Sequence, residues 1–165
     1  MSSTLNDVKI KDSAGPVSTW TWQVDASATL IYPGDPVKLS SAGSPFVIKL
    51  ADNEPVIGTT TQVVGIAATE STNTAAAAGT VSVYIPVPGT IYSCKATTIT
   101  NVDTAAELIA LVGDRVLLDL STATFTVDEN AGDTATSGIQ IVGGDPANGD
   151  IYFIIRSSAT QGPVA

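Results

Sequence analysis

Chemistry in this 165-residue sequence would have to come from one thiol and a set of carboxylates. Cys94 stands next to Lys95 in S-C-K-A, and a neighbouring ammonium favours the reactive thiolate. A nucleophilic thiol also needs a base, and the sequence contains no histidine. Ser-His-Asp and Cys-His sites are thereby excluded within the single chain, as are imidazole-based zinc sites. The structural reading of Cys94 is therefore preferred. Carboxylates alone suffice for glycoside hydrolysis and for calcium. The run Asp128-Glu129-Asn130-Ala131-Gly132-Asp133 has the composition of a calcium loop, but it lacks ligands at alternate positions followed by a bidentate glutamate. Asp, Asn and Gly in such a cluster favour a turn, and Asp145 and Asp150 flank a second one. Neither glycine-rich phosphate-binding spacing occurs. The chain reads as a non-enzyme with no cofactor and no metal.

The elements that would position a site are short strands. From Gly34 to Tyr92 five apolar runs are separated by Gly, Pro, Asn and Asp, and the run Gly79 to Gly89 alternates, with Val81, Val83, Ile85 and Val87 on one face. Pro86 and Pro88 have no amide hydrogen for a ladder, so this run should lie at a sheet edge or finish there. Residues 68 to 79 are small and polar and read as an exposed mobile loop, in which Ala75 to Ala78 is a candidate helical turn too short to stand alone. The spacing predicts a helix over 104–112. Thr104 and Glu107 form a capping box, Leu108, Leu111 and Val112 give one apolar stripe, and Gly113 is the stop. Capping accounts for Glu107 and removes it as a catalytic candidate. Strands resume from Arg115, and Ile151 to Arg156, apolar on both faces, should be central and covered from both sides. The expected fold is mainly β, a single β-sandwich or β-barrel of about nine or ten short strands with one short helix. Residues 16–156 would form that domain, and residues 157–165 read as a loose tail.

Two features at the start of the chain point outward. Residues 1–15 carry only Leu5, Val8 and Ile10 among polar residues, which suits either a disordered terminus or an arm that adds a strand to a partner. Trp20 and Trp22 share one face of a strand, where they serve either as core or as an anchor on a neighbouring subunit. With 7 basic against 16 acidic residues the formal charge is −9, and the lysines and arginines are scattered. Nucleic acid is an unexpected partner, because its binding depends on a basic stripe that releases counterions. No apolar run approaches bilayer length, and the first seven residues do not resemble a secretory leader. The lone cysteine suits a reducing compartment.

The order G-D-P-V-K-L (34–39), V-V-G-I-A (63–67), a small polar loop, G-T-V-S-V-Y-I-P-V-P-G-T-I-Y (79–92), V-G-D-R-V-L-L-D-L (112–120) and D-P-A-N-G-D-I-Y-F-I-I-R (145–156) resembles capsid decoration, or cement, proteins of tailed bacteriophages. The resemblance lies in pattern and turn positions over residues 34–156. It implies a structural virion protein, made in the host cytoplasm, that sits on the outer surface of the expanded head and clamps neighbouring major capsid subunits. Both homotrimers and monomers occur in that family. The interface candidates that follow are Leu5, Val8, Ile10, Trp20 and Trp22. The competing reading is a carbohydrate- or receptor-binding β-sandwich of a phage fibre, with Trp20, Trp22, Tyr84 and Tyr92 as the aromatic platform.

Overall fold

The computed structural model describes residues 8–13, 15–58 and 62–160. They form eleven strands and one α-helix, arranged as two antiparallel sheets in a sandwich-like fold. The strands are β1 (Lys9–Asp12), β2 (Thr19–Val24), β3 (Pro36–Leu39), β4 (Val47–Lys49), β5 (Val63–Ala67), β6 (Gly79–Tyr84), β7 (Ile91–Lys95), β8 (Arg115–Ser121), β9 (Thr124–Asp128), β10 (Ile139–Asp145) and β11 (Asp150–Ile155), with α1 (Ala105–Leu111) between β7 and β8. The first sheet runs β1-β7-β11-β10-β8-β9 and the second β2-β6-β5-β3-β4. Each sheet curls on itself, touching at a single bridge between Ala96 and Val127 in the first and between Gln23 and Phe46 in the second, short of a closed barrel. No described helix is long and apolar enough to cross a membrane.

Two cores result. The larger gathers Tyr92, Phe125, Phe153, Ile139, Ile141 and Ile151 with their neighbours. The smaller, inside the second sheet, gathers Val24, Ile31, Val37, Leu39, Val47, Val81 and Val83. The strand β5 serves both, because Val63 and Ile66 face the larger core while Val64 and Ala67 face the smaller. Its five residues are all buried, so β5 is the strand covered from both sides. β11 is central, between β7 and β10, but only Ile151 and Phe153 are fully buried, and Tyr152, Ile154 and Ile155 are half-buried. Gly65 is needed in β5 because a Cβ there would run into Tyr84 O and Val83 Cγ1 of β6. β6 itself lies between β2 and β5 rather than at an edge, and its ladder finishes at Tyr84, ahead of Pro86.

Two buried ion pairs brace the second sheet. Lys49 Nζ meets Asp35 Oδ2 at 3.0 Å, and Lys38 Nζ meets Glu54 Oε1 at 2.5 Å. Glu54 also accepts Ala51 N–H at 2.7 Å, and its main-chain carbonyl accepts Leu118 N–H at 2.8 Å, which ties this sheet to β8. Burial pushes the Asp35 carboxyl above the usual aspartate value, outweighing the Tyr32 amide and the Lys49 ammonium.

The helix is capped as its sequence requires, with Glu107 N–H donating to Thr104 Oγ1 and Thr104 N–H donating to Glu107 Oε2. Leu108 is buried and Leu111 packs against the larger core. Val112 departs from the expected stripe. The helix ends at Leu111, and Val112 takes an extended backbone that turns it out to 49% exposure.

Three expected loose segments are tied down. Val8 is 2% exposed within the larger core, and β1 pairs with β7, so the described part of the arm completes the chain's own sheet. Within 68–79, Ser71 and Asn73 are buried. Ser71 Oγ accepts Ile31 N–H and donates to Asn73 Oδ1, and Asn73 Nδ2 donates to Ala28 O. Ala75 to Ala78 is exposed and makes a bend, not a helical turn. The tail begins with a 3-10 turn at Ser157–Ala159, and Thr160 bridges Val63. Leu5 and residues 161–165 lie outside the described residues.

Candidate functional site

The partners of the thiol and of the carboxylates define what those groups do. Cys94 is buried and its Sγ donates to Phe125 O at 3.1 Å, while Lys95 Nζ is held by Asp150 at 2.7 Å and by Asn148 O at 2.6 Å. The ammonium that sequence places beside the thiol thus serves the β10–β11 turn. In the 128–133 run, Glu129 accepts the amides of Thr97 and Thr98, each at 3.0 Å, and the side-chain amides of Asn101 and Asn130. Asp133 takes Arg115 in a two-pronged pair at 2.6 Å for each prong, which holds its carboxyl down at about 2. The run is a turn whose carboxylates anchor the ends of neighbouring strands. Asp52 Oδ1 accepts Leu120 N–H at 2.9 Å, and Asp119 Oδ2 accepts the Thr97 hydroxyl at 3.3 Å. Leu120 N–H, followed by the neighbouring Asp119, lowers the Asp52 carboxyl, and the neighbouring Asp52 raises that of Asp119.

Among several concave features of the described residues, one is built around β2. Thr19 to Val24 alternates, and Val24 points fully into the smaller core. On the same face Trp22 packs against that core and Trp20, one further step along, is 52% exposed. The two indoles meet edge to face, with centroids 6.4 Å apart and planes at 74°. Opposite them lies the tip of the β3–β4 hairpin, where Ser44 Oγ bonds Ser40 Oγ at 2.6 Å and accepts Phe46 N–H. Between the two is a groove of about 480 Å³ lined by Trp20, Thr21, Trp22, Leu39, Ser44 and Pro45.

This groove is the unzipped part of the second sheet. β2 and β4 are its two end strands, and they join only through Gln23 and Phe46. Ile85 N–H donates to Ser18 O at 3.0 Å, which fixes the phase of the β2–β6 ladder. In an antiparallel ladder, hydrogen-bonded and non-bonded pairs alternate. The main-chain groups of Trp20 and Trp22 therefore face β6, and those of Thr19 and Thr21 face the groove. Neither Thr19 nor Thr21 has a further backbone partner there among the described residues.

Of the interface candidates, Trp20 and Trp22 come together at this groove. Val8 does not join them. It is a core residue, because the hydrophobic residues of an edge strand are buried when that strand pairs within its own sheet. Ile10 packs partly against the same core. Tyr84 is half-buried on the other face of β6, where it lines a pocket with Val8, Ile10 and Ile66, and Tyr92 lies in the larger core stacked on Phe153 at 5.8 Å, with its hydroxyl pushed up to about 12 by burial. The four-aromatic platform is not assembled. Sequence periodicity grouped Trp20 with Trp22 but carried no sign of Leu39 and Pro45, which the hairpin brings in from elsewhere in the chain. Comparison of the chain with protein-family models and with curated proteins finds no match.

Proposed function

We propose that this chain is a structural virion protein that binds the outer surface of an expanded phage capsid and stabilises contacts between major capsid subunits. The observation that carries the reading is Trp20, half exposed over an uncharged groove on a scaffold whose buried Asp35 and Glu54 are paired with Lys49 and Lys38. A large, rigid aromatic at the mouth of a groove is the kind of residue that anchors an interface. The strand-to-strand pattern of residues 34–156 that resembles cement proteins supports the same reading. Many copies on one lattice act together, so each contact needs only modest strength. The test is co-sedimentation of the full chain with expanded empty heads. Trp20→Ala is expected to lower occupancy at least tenfold, and undiminished occupancy would sink the reading. Binding of the isolated protein to neutral glycans through Trp20 would favour the fibre-module reading instead.

A further inference from the structure

Resting on the assignment of the Trp20 groove as a docking site, we infer that the groove accepts one uncharged, extended segment of a protein partner as an added strand alongside β2. Two observations converge. The groove is a gap in a hydrogen-bonded sheet, closed at Gln23 and Phe46 and open toward Thr19. Its β2 wall offers the N–H and C=O groups of Thr19 and Thr21, whose direction follows from the ladder phase set by Ser18 and Ile85. Main-chain groups left without partners at a strand edge are a template for another strand.

The side-chain lining selects the occupant. None of the residues that line the groove is ionisable, although the chain carries −9 overall. A charged segment would lose hydration there without gaining a counter-charge. The side chains of an added strand alternate, so every second one would enter between the indoles and the Leu39 and Pro45 wall, where small apolar or β-branched groups fit a gap of about 480 Å³. The open part of β2, Thr19 to Trp22, spans roughly 13 Å at about 3.3 Å per residue, enough for a short segment.

The test uses the full chain and a synthetic array of short, capped peptides, uncharged and charged, read by binding and by tryptophan fluorescence. Uncharged peptides with alternating β-branched residues are expected to enrich. N-methylation of one alternate set of their amides should abolish binding while methylation of the other set leaves it intact, as strand pairing on a single edge requires. Trp20→Ala should weaken binding at least tenfold. Thr21→Pro, which removes an amide pointing away from β6, should abolish binding while leaving the circular dichroism of the fold unchanged. Enrichment of charged peptides, indifference to both methylation sets, or a dimer of the free protein dispersed by Trp20→Ala would each overturn the inference. The array contains no capsid. Peptide binding that survives alongside undiminished head occupancy by Trp20→Ala overturns the capsid reading alone, and loss of head occupancy with no peptide binding overturns the strand mode alone.

Discussion

The core between the sheets contains Tyr92 stacked on Phe153 and buries both rings completely, whereas the core inside the second sheet is aliphatic and ends at two tryptophans, the outer of which is half in solvent. Both are made by alternating strands, so alternation by itself does not separate them. The difference is in how the strand ends are treated. The larger core is bordered by β1, α1 and the Ser157–Ala159 turn. The smaller has one seam left open between β2 and the β3–β4 hairpin. Burial is therefore most complete in the first region, and the proposed docking belongs to the second.

That contrast can be broken by substitution. Phe153→Ala should cost about 3–5 kcal/mol in denaturant unfolding, because a fully buried ring leaves a cavity; a loss under about 1 kcal/mol would show that the larger core is not where stability resides. Lys49→Met, which leaves Asp35 buried without its partner, should cost about 3 kcal/mol, and adding Asp35→Leu should restore most of it. Failure of the second change to rescue would mean that the pair is not the unit. Thr104→Ala should cost about 1 kcal/mol through the lost cap, read as the same midpoint shift. Trp20→Ala should change stability by no more than about 0.5 kcal/mol while removing docking, and a large stability loss would place it in the core after all.

The smallest effect is one of pH. The folded-state pKa of Asp133 is depressed to about 2 by Arg115. A depressed carboxyl stabilises the fold above its unfolded value near 3.9, and that contribution is lost as pH falls toward about 2. Asp133→Asn should flatten this part of the acid limb, and an unchanged slope between those values would show that Asp133 does not titrate below its unfolded value. The pair is well exposed, so its effect belongs at the bottom of the order.

Local rules made much of this fold legible in the sequence. Thr104 and Glu107 marked the helix start to the residue, since a capping box needs only a three-residue spacing. The alternation at Val81 and Val83 marked a core face, and Pro86 marked where pairing stops. What could not be read is non-local. Val8 looks like any apolar residue near a chain end until β7 is there to pair with β1. Ser71 and Asn73 look like loop residues because the carbonyl and amide that bury them, at Ala28 and Ile31, are far away in sequence. Trp20 and Trp22 are equivalent by periodicity, and only the position of the open seam separates their exposures. The groove itself depends on a hairpin tip and a strand that have no adjacent sequence in common.

One consequence follows from β5. A single strand that lends alternate side chains to two hydrophobic interiors works as a party wall, and neither chamber stands if it is removed. The two halves should melt in one all-or-none transition, with hydrogen exchange at Val64 and Ile66 as slow as global unfolding. A ligand held at the seam would then be felt in the melting of the distant Tyr92 and Phe153 core, since whatever stabilises one chamber stabilises the whole cooperative unit.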